Sequence, residues 1–402
     1  MVVNRNIGAR SSLDPDRLAR ATDVMRGFLD RGEAAGMNLL VRRGGATVYE
    51  VCLGLAEIET GRPMAPDTIF RIYSMSKPVT MAAVLILLER GAFGLDEPVS
   101  RYLPAFKGQR VLVESDGGRA GTVPARGEVT IRQLLTMTSG IPYPGANTAI
   151  ERVYQKALDE AQAEGRPLSM AEVVDRIASL PLAFEPGTRW LYGYSHDVAG
   201  RLVEVVSGRP FDRFLREEIF DPLGMKDTGF YVPPEKAGRL AAAYGPGEKG
   251  PLTLIDAPGT SSYLKPPSFL SGGGGMVSTI GDYANFAEML ARGGEWGGRR
   301  ILGERTVRLM ASDHLDAEQK RYYCGGNNRG FSYGLGVRVL IDPAGAGFGG
   351  SIGLFGWEGY ASTWFCADPA EDLAAVLMVQ CIPYGAFPFD LRFRTMLYAA
   401  LV

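Results

Sequence analysis

The chain has 402 residues, 46% of them hydrophobic and 22% charged, and its formal net charge is −2. These proportions are ordinary for a soluble globular protein that is long enough to bury one large core or two smaller ones. Lys and Arg form no long runs, so the sequence lacks the basic footprint of a nucleic-acid-binding protein, and small neutral molecules are the expected partners.

The N-terminal segment, MVVNRNIGARSSLDPDRLAR, has no apolar stretch followed by a small-residue cleavage site and therefore does not resemble a secretory signal. No later stretch approaches the roughly 18 uninterrupted apolar residues that indicate a membrane span. The sequence therefore predicts a cytoplasmic protein with no membrane segment.

The first part of the chain combines helical and extended patterns. Residues 13–31 carry apolar residues at helical spacing between an Asp and a Gly, which predicts a capped surface helix. Residues 36–61 read as two strands that turn at Gly44-Gly45. Residues 73–91 are apolar nearly all round, so a buried helix is expected there.

The rest of the chain is first helical and then extended. From about residue 100 to 325, helical segments such as 197–207 and 279–293 alternate with loops rich in Pro and Gly. Strand patterns return after this region, and an amphipathic helix follows them. These elements are predicted at residues 331–340, 359–367 and 373–381 for the strands and 388–402 for the helix.

This order of elements predicts an α+β fold in which both chain ends contribute strands to one sheet and a mostly helical lobe is inserted between them. We expect one lobe to comprise residues 1–100 and 326–402 and the other to comprise residues 101–325. The crevice between two lobes is the natural place for an active site.

Ser74 and Lys77 form a Ser-x-x-Lys pattern at the start of the predicted buried helix. Residues three apart share a helical face, so the hydroxyl and the amine can meet. Unpaired N–H groups at a helix start favour developing negative charge, and a buried lysine can accept the proton of the serine. Pro78 is tolerated only in the first turn. The pattern predicts a nucleophile and its base; the alternative is an N-cap serine beside a lysine that reaches solvent.

Two other serines occur in similar patterns. Ser262 and Lys265 also match Ser-x-x-Lys, but Pro266-Pro267 follows them and no apolar helix lies behind them, so we do not expect a shared helical face. Ser351 lies in a G-x-S-x-G pattern, which requires a later histidine in α/β-hydrolases. No histidine follows Ser351, and its Gly-rich surroundings indicate a turn.

Histidine and cysteine counts restrict the possible chemistry. His196 and His314 are the only histidines, so a multi-histidine metal site would need both and a Ser-His-Asp triad would need one. The four cysteines are widely spaced and form no C-x-x-C pair, which argues against a zinc ribbon or a disulfide framework. Neither a metal nor another cofactor is predicted.

Four stretches of the sequence form a recognisable set. They are SMSKPVTMAAVLILLERG from residue 74, LLTMTSGIPYPG at 134–145, PGTRWLYGYSHDVAGRLVEVVSG at 186–208 and GGGGMVSTIGDYANFAEMLARGG at 272–294. Together they resemble the serine β-lactamase and penicillin-binding protein superfamily, and within it the class C β-lactamases and the related family VIII carboxylesterases. The resemblance covers roughly residues 15–400 and implies a β-lactamase/transpeptidase-like fold with an antiparallel sheet flanked by helices.

The resemblance implies a third member of the catalytic set. Tyr192 occupies the first position of the superfamily's Tyr-x-Asn motif and is expected to act as a second base, while Tyr194 replaces the motif asparagine. Tyr194 and Tyr143, the latter in the Thr-Ser-Gly loop, are expected to contact substrate. Asp197 is interpreted either as a residue that steadies this segment or as an exposed acid at a helix start.

The superfamily's Lys-Thr-Gly box does not occur in this sequence. Its best substitute is Trp357-Glu358-Gly359, similar to the Trp-x-Gly box of the esterase branch. The resemblance then implies that the backbone N–H groups of Ser74 and Tyr360 form the oxyanion hole. Trp357 and Gly359 would contact substrate, with Trp357 providing an apolar wall where relatives place a cation.

These features predict a serine carboxylesterase that hydrolyses small, short-chain esters through an acyl-enzyme on Ser74. Loss of the lysine box and of the motif asparagine, with Ser74, Lys77 and Tyr192 retained, favours an esterase over a β-lactamase or D-Ala-D-Ala peptidase. A transacylase of the same fold uses the same first step. A binding module without catalysis is a further, less favoured reading.

Overall fold

In a computed structural model, which describes residues 13–114, 120–247, 252–326 and 328–402, the centre of the protein is an antiparallel sheet. Its strand order is β12-β13-β14-β15-β16-β1-β2-β3, and each neighbouring pair is antiparallel. The strands of the described chain are β1 (Gly36–Arg43), β2 (Ala46–Glu57), β3 (Arg62–Pro63), β4 (Ile69–Arg71), β5 (Arg110–Glu114), β6 (Ala120–Pro124), β7 (Ala243–Gly245), β8 (Thr253–Asp256), β9 (Val277–Thr279), β10 (Glu295–Trp296), β11 (Arg299–Arg300), β12 (Phe331–Tyr333), β13 (Arg338–Leu340), β14 (Phe355–Glu358), β15 (Trp364–Asp368) and β16 (Leu373–Val379).

Helices cover both faces of this sheet. Consecutive residues of a strand point to opposite faces. Trp364 packs against Phe393 of the last helix, whereas Phe365 packs against Tyr283 and Phe286 of the eighth. The helices are α1 (Pro15–Asp30), α2 (Ser76–Glu89), α3 (Ile131–Leu135), α4 (Ala149–Ala163), α5 (Met170–Ser179), α6 (Ser195–Ser207), α7 (Phe211–Leu215), α8 (Ile280–Ala291), α9 (Glu304–Met310), α10 (Ala317–Tyr322), α11 (Pro343–Ala346) and α12 (Phe389–Ala399).

The predicted α+β fold is confirmed, and so is the contribution of both chain ends to one sheet. β1 from the N-terminal part pairs directly with β16 from the C-terminal part, with Met37 opposite Val379 and Arg43 opposite Leu373. The hairpin predicted around Gly44-Gly45 is also present, because both glycines adopt positive φ angles between β1 and β2.

Two strand predictions near the C-terminus are wrong in detail. Residues 331–340 form two short antiparallel strands, β12 and β13, rather than one, and Gly336, with a φ of 78°, lies in the turn between them. The strand predicted from residue 359 starts at Trp364, since Ser362 has a φ of 64° and residues 359–363 turn instead. β14 was not among the predicted strand patterns.

The helix predicted over residues 73–91 is confirmed as α2, which follows a short 3-10 turn at Tyr73–Met75. Its side chains from Ser76 to Leu87 are buried, in agreement with the apolar pattern all round this helix. α2 packs against α6, and α8 packs against β1, β15 and β16. None of the helices in the described part of the chain combines the length and apolar character needed to cross a bilayer.

Candidate active site

Ser74 lies in the 3-10 turn immediately before α2. The preceding Tyr73 has a φ of 41°, a left-handed conformation that is unfavourable for a residue with a bulky side chain. Such backbone conformations persist where the surrounding structure enforces them, and they cluster at functional sites. Pro78 is the third residue of α2 and therefore costs no helical hydrogen bond, as the sequence predicts.

The side chains of Ser74, Lys77 and Tyr192 meet at the serine hydroxyl. Lys77 donates a hydrogen bond from Nζ to Ser74 Oγ over 3.1 Å, and the Tyr192 hydroxyl donates to the same oxygen over 2.6 Å. Lys77 Nζ also lies 4.5 Å from the centre of the Tyr192 ring. The structure thus brings together the predicted nucleophile and the two predicted proton-transfer groups from segments that are 118 residues apart.

Lys77 is completely buried, and the backbone behind it fixes its amine. Its Nζ donates a second hydrogen bond to the Gly273 carbonyl. The Gly273 N–H in turn donates to Asp197 Oδ1 over 3.1 Å, and the Ser271 hydroxyl donates to the same oxygen. Asp197 therefore supports the carbonyl that orients Lys77.

Asp197 is fully buried in the first turn of α6, so its interpretation as an exposed helix-start acid is wrong. Burial raises the pKa of its carboxyl, although Ser271 and the nearby Lys77 oppose that effect. A Cβ atom at Gly273 would lie 2.5 Å from Asp197 Oδ2, so only glycine fits this close approach.

Neither histidine takes part in this site as a charged base. Burial lowers the pKa of His196 to about 3, and the positive charge of Lys77 acts in the same direction. Its Nε2 lies 3.3 Å from the Leu135 carbonyl oxygen. Burial also lowers the pKa of His314. His196 is therefore neutral near neutral pH, and the side chains that hydrogen-bond Ser74 Oγ are those of Lys77 and Tyr192, the two predicted proton-transfer groups.

The turn after β14 packs tightly against the segment that carries the nucleophile. Gly359 donates its N–H to the Thr363 carbonyl, and a Cβ at Gly359 would lie 2.3 Å from the Ile72 carbonyl oxygen. This close contact requires glycine. It holds the backbone at Gly359 and Tyr360 in a fixed position relative to the backbone before Ser74. The Tyr360 ring packs edge-on against Tyr73, with ring centres 5.9 Å apart.

Ser74 opens into a cavity of about 520 Å³, and five of its eleven lining residues are aromatic. Tyr192 stacks between two tryptophans, 6.0 Å from Trp190 and 5.9 Å from Trp357, at interplanar angles of 26° in both cases. The cavity is lined by Ser74, Trp190, Tyr192, Cys324, Asn328, Arg338, Trp357, Glu358, Gly359, Tyr360 and Tyr384.

Comparison with known proteins identifies the family. The model of the beta-lactamase family matches residues 21–398. The chain belongs to the beta-lactamase family. Esterase EstB of Burkholderia gladioli is 33% identical over 413 residues, which cover 96% of this chain and 97% of EstB. This chain is accordingly a serine hydrolase of the β-lactamase fold with esterases among its relatives.

Two solved structures extend this likeness over nearly the whole chain. EstCE1, described as a hydrolase with promiscuous acyltransferase activity, is 25% identical with a TM-score of 0.78, covering 95% of this chain and 99% of that one. Simvastatin synthase LovD from Aspergillus terreus is 26% identical with a TM-score of 0.80, covering 96% of this chain and 98% of LovD. The predicted superfamily resemblance is confirmed.

Tyr143 and Tyr194 do not lie on the wall of the cavity that contains Ser74, although the sequence predicts substrate contacts for both. Tyr143 packs edge-on against Tyr192 and Tyr194, with ring centres 5.5 and 4.7 Å apart. Burial raises the pKa of Tyr194 to about 12, and burial also raises the pKa of Tyr143 well above its ordinary value. Both phenols are therefore neutral near neutral pH; Tyr143 contacts the Tyr192 ring, and Tyr194 contacts Tyr143.

In this beta-lactamase family member, the two other serines that match nucleophile patterns, Ser262 and Ser351, lie in structural surroundings different from that of Ser74. Ser262 is in a 3-10 turn of three residues and Lys265 is extended, so they do not share a helical face, as predicted. Ser351 lies between helix α11 and strand β14, which reverses the strand-to-helix order of a nucleophile elbow.

Sequence reasoning missed several residues that line the cavity. Trp190 precedes Tyr192 by two positions, and this spacing places both side chains on one face of an extended segment. The spacing could therefore have indicated that Trp190 lies beside Tyr192 in the site. Arg338, Cys324 and Tyr384 carry no such signal, since each reaches the cavity only through the pairing and packing of distant segments.

Proposed function

We propose that this protein is a carboxylesterase that hydrolyses small, short-chain carboxylic esters through an acyl-enzyme on Ser74. The hydrogen bonds of Lys77 and Tyr192 to Ser74 Oγ carry this proposal, because they surround one hydroxyl with two proton-transfer groups. Removing the serine proton as the oxygen attacks is the requirement for nucleophilic catalysis by serine.

In the first half-reaction, Ser74 Oγ forms a bond to the ester carbonyl carbon while its proton passes to the Lys77 and Tyr192 pair. The pair then delivers this proton to the alcohol oxygen as the carbon–oxygen bond breaks and the alcohol leaves. Water attacks the acyl-enzyme in the second half, releasing the acid and restoring Ser74. The backbone N–H groups of Ser74 and Tyr360 are proposed to stabilise the oxyanion in both halves.

An ester is favoured over a β-lactam because the described residues that line the cavity include no unpaired cation for the carboxylate of a β-lactam. Among the described lining residues the cationic side chain is Arg338, and it is paired with Glu358. Trp357 occupies the position of the lysine box, and Tyr194 that of the motif asparagine. The identity to EstB supports the same choice.

A panel of substrates tests this proposal. Purified protein is incubated with p-nitrophenyl acetate, butyrate and octanoate beside nitrocefin and a D-Ala-D-Ala peptide. We expect the acetate and butyrate esters to be cleaved fastest, Ser74→Ala to abolish cleavage and Ser351→Ala to retain it. Faster cleavage of nitrocefin than of every ester, or activity that survives Ser74→Ala, would contradict the proposal.

Acyl transfer to an alcohol is a second candidate function. It is favoured by the likeness to EstCE1, described as a hydrolase with promiscuous acyltransferase activity, and to LovD, described as a simvastatin synthase. Both reactions share the acyl-enzyme and differ only in the group that attacks it. Hydrolysis of p-nitrophenyl butyrate in the presence of 1-butanol separates them. A product mixture dominated by butyl butyrate at low alcohol concentration would assign the protein to the transferases.

A further inference from the structure

The cavity that contains Ser74 also contains a buried ion pair that the proposed reaction does not use. Arg338 on β13 lies opposite Gly356 of β14, and Glu358 is two residues further along that strand, so both side chains project to the same face. Arg338 donates a hydrogen bond from Nη2 to Glu358 Oε1. Only 13% and 12% of the two side chains remain exposed, and both line the cavity.

A continuous aromatic surface connects the nucleophile to this pair. The Tyr192 hydroxyl contacts Ser74 Oγ at 2.6 Å, and the Tyr192 ring stacks on Trp357. The guanidinium carbon of Arg338 lies 5.5 Å from the centre of a Trp357 ring, within the range of a cation–π contact. Ser74, these rings and the ion pair line the same cavity, so a flat group attached to an ester at Ser74 can extend through it toward the ion pair.

The ion pair keeps hydrogen-bonding capacity of both kinds. A guanidinium carries several N–H donors and a carboxylate several acceptor positions, and the hydrogen bond between Arg338 and Glu358 uses one of each. The exposed parts of the two side chains, which line the cavity, can therefore donate to and accept from a substrate. Although burial opposes its charge, the Glu358 carboxylate holds the pKa of Arg338 above its ordinary value. The pair is thus a neutral unit of two opposite charges.

A neutral unit of this kind discriminates between charged and neutral groups. A carboxylate that approaches Arg338 also approaches the negative Glu358, so its attraction is largely cancelled. A hydroxyl or carboxamide, in contrast, can accept from the guanidinium and donate to the carboxylate at once. Hydrogen bonds to charged groups contribute more than those between neutral partners, about 1.5–3 kcal/mol.

We propose that the Arg338–Glu358 pair selects esters in which a flat ring carries a neutral group that both donates and accepts hydrogen bonds, such as a phenolic hydroxyl. The proposal rests on the proposed esterase function and names the substrate class of the same cavity. The ring can belong to the acid or to the alcohol half of the ester, and the experiment has one arm for each.

The acid arm compares methyl 4-hydroxybenzoate with methyl 4-methoxybenzoate, which resembles it electronically but lacks the donor. The alcohol arm compares 4-hydroxyphenethyl acetate with 4-methoxyphenethyl acetate. In at least one arm kcat/KM is expected to be about tenfold or more higher for the hydroxyl compound, the lower end of the range for a hydrogen bond to a charged group. Monomethyl terephthalate, which carries a carboxylate, is expected to be a poorer substrate than methyl 4-hydroxybenzoate.

The double variant Arg338→Met/Glu358→Gln removes both charges without leaving either one alone in the cavity wall. It is expected to bring the ratio of the two rates to about one. The matched control is Arg132→Met/Asp96→Asn, which removes an ion pair outside the cavity, with a shortest contact of 2.6 Å, and should retain the wild-type ratio.

A measurement on the wild-type protein keeps the proposal testable if the double variant does not fold. Inhibition of p-nitrophenyl butyrate cleavage by 4-hydroxyacetophenone should be about tenfold stronger than inhibition by 4-methoxyacetophenone. Equal rates and equal inhibition for the hydroxyl and methoxy compounds, with p-nitrophenyl acetate still cleaved, would overturn this inference and leave the esterase proposal intact. Preference for monomethyl terephthalate would overturn the assignment to a neutral group, and cleavage of no ester would overturn both proposals.

Discussion

The reacting centre and the wall of the cavity are built in different ways. The centre consists of Ser74, Lys77 and Tyr192, held by short hydrogen bonds at the starts of α2 and α6. The wall is carried by β13, β14 and the turn that follows, and aromatic rings and one ion pair make up most of it. The centre has nearly all its polar groups engaged, whereas Arg338 and Glu358 keep unpartnered atoms.

This difference separates the chemistry from the choice of substrate. A proton-transfer set must keep its distances within tenths of an ångström, so it is supported by backbone groups such as the Gly273 carbonyl. A wall made of side chains on strands can change its shape and polarity without moving the nucleophile. Substitutions in the two regions should therefore have distinguishable kinetic effects. Substitutions of Lys77, Gly359, Asp197 and His196 are expected to have effects that decrease in this order.

Replacing Lys77 tests the centre alone. Lys77→Met removes a proton-transfer group that touches Ser74, and we expect kcat to fall by about 10³-fold or more. Lys265→Met, in the second Ser-x-x-Lys pattern, serves as the control and should keep wild-type kcat. Cleavage of p-nitrophenyl butyrate measures both. Comparable losses in the two variants would remove the distinction between the two patterns.

Replacing Gly359 tests the contact between the wall and the centre. In Gly359→Ala the new Cβ would lie 2.2 Å from Thr363 Oγ1 and 2.3 Å from the Ile72 carbonyl oxygen, so the backbone next to the nucleophile must move. We expect kcat to fall by about 10²-fold, the usual effect of a displacement near 1 Å. Gly349→Ala has no atom within 4 Å of its new Cβ and should retain activity. Full activity of Gly359→Ala would show that the two regions are independent even at their point of contact.

Asp197 is expected to act as a positioning residue, because its hydrogen-bonded link to Lys77 runs through Gly273. Asp197→Ala should lower kcat by about tenfold or more with little change in KM, since the residue does not line the cavity. Asp197→Asn keeps an oxygen that can accept from Gly273 and Ser271 and should recover part of the loss. Steady-state kinetics, with thermal unfolding measured in parallel, check this. An increase in KM without a fall in kcat would contradict the positioning role and would mean that Asp197 affects substrate binding, as the residues of the wall do.

Replacing the neutral His196 behind the centre is expected to have the smallest effect. The substitution should change the pH dependence of the unfolding free energy rather than the reaction rate. The folded-state pKa of His196, about 3, is below the unfolded value, so the unfolded chain binds the proton first and stability falls as the pH drops below about 6.5. Between pH 7.5 and 5.5, wild type should lose about 1.4 kcal/mol more unfolding free energy than His196→Gln. Urea unfolding at both pH values measures this difference. Equal losses would mean that His196 is protonated in the folded protein.

The reacting centre was more predictable from the sequence than the wall, for a physical reason. Ser74 and Lys77 are three residues apart on one helix, so local geometry alone brings them together. The contact between Lys77 and Gly273 joins residues 196 apart and depends on the complete fold. No local pattern encodes it.

The ion pair of the wall was missed because one strand boundary was wrong. With residues 331–340 taken as one strand, Arg338 has no defined neighbour across the sheet. The turn at Gly336 and the pairing of β13 with β14 place it diagonally opposite Glu358. Tyr192, by contrast, was predicted only through the family resemblance, since nothing in its own segment marks it as a base.

The position of β16 in the sheet also affects how the protein can be made. β16 lies between β15 and β1, so the first strand of the described residues pairs with the last one, which is synthesised much later. During synthesis the hydrogen-bonding edge of β1 that faces β16 stays open while nearly all of the intervening chain emerges. Open edges of apolar strands are sites of intermolecular pairing. Chains that stop before β16 therefore lack the partner of β1 and expose an aggregation-prone edge instead of forming a smaller enzyme.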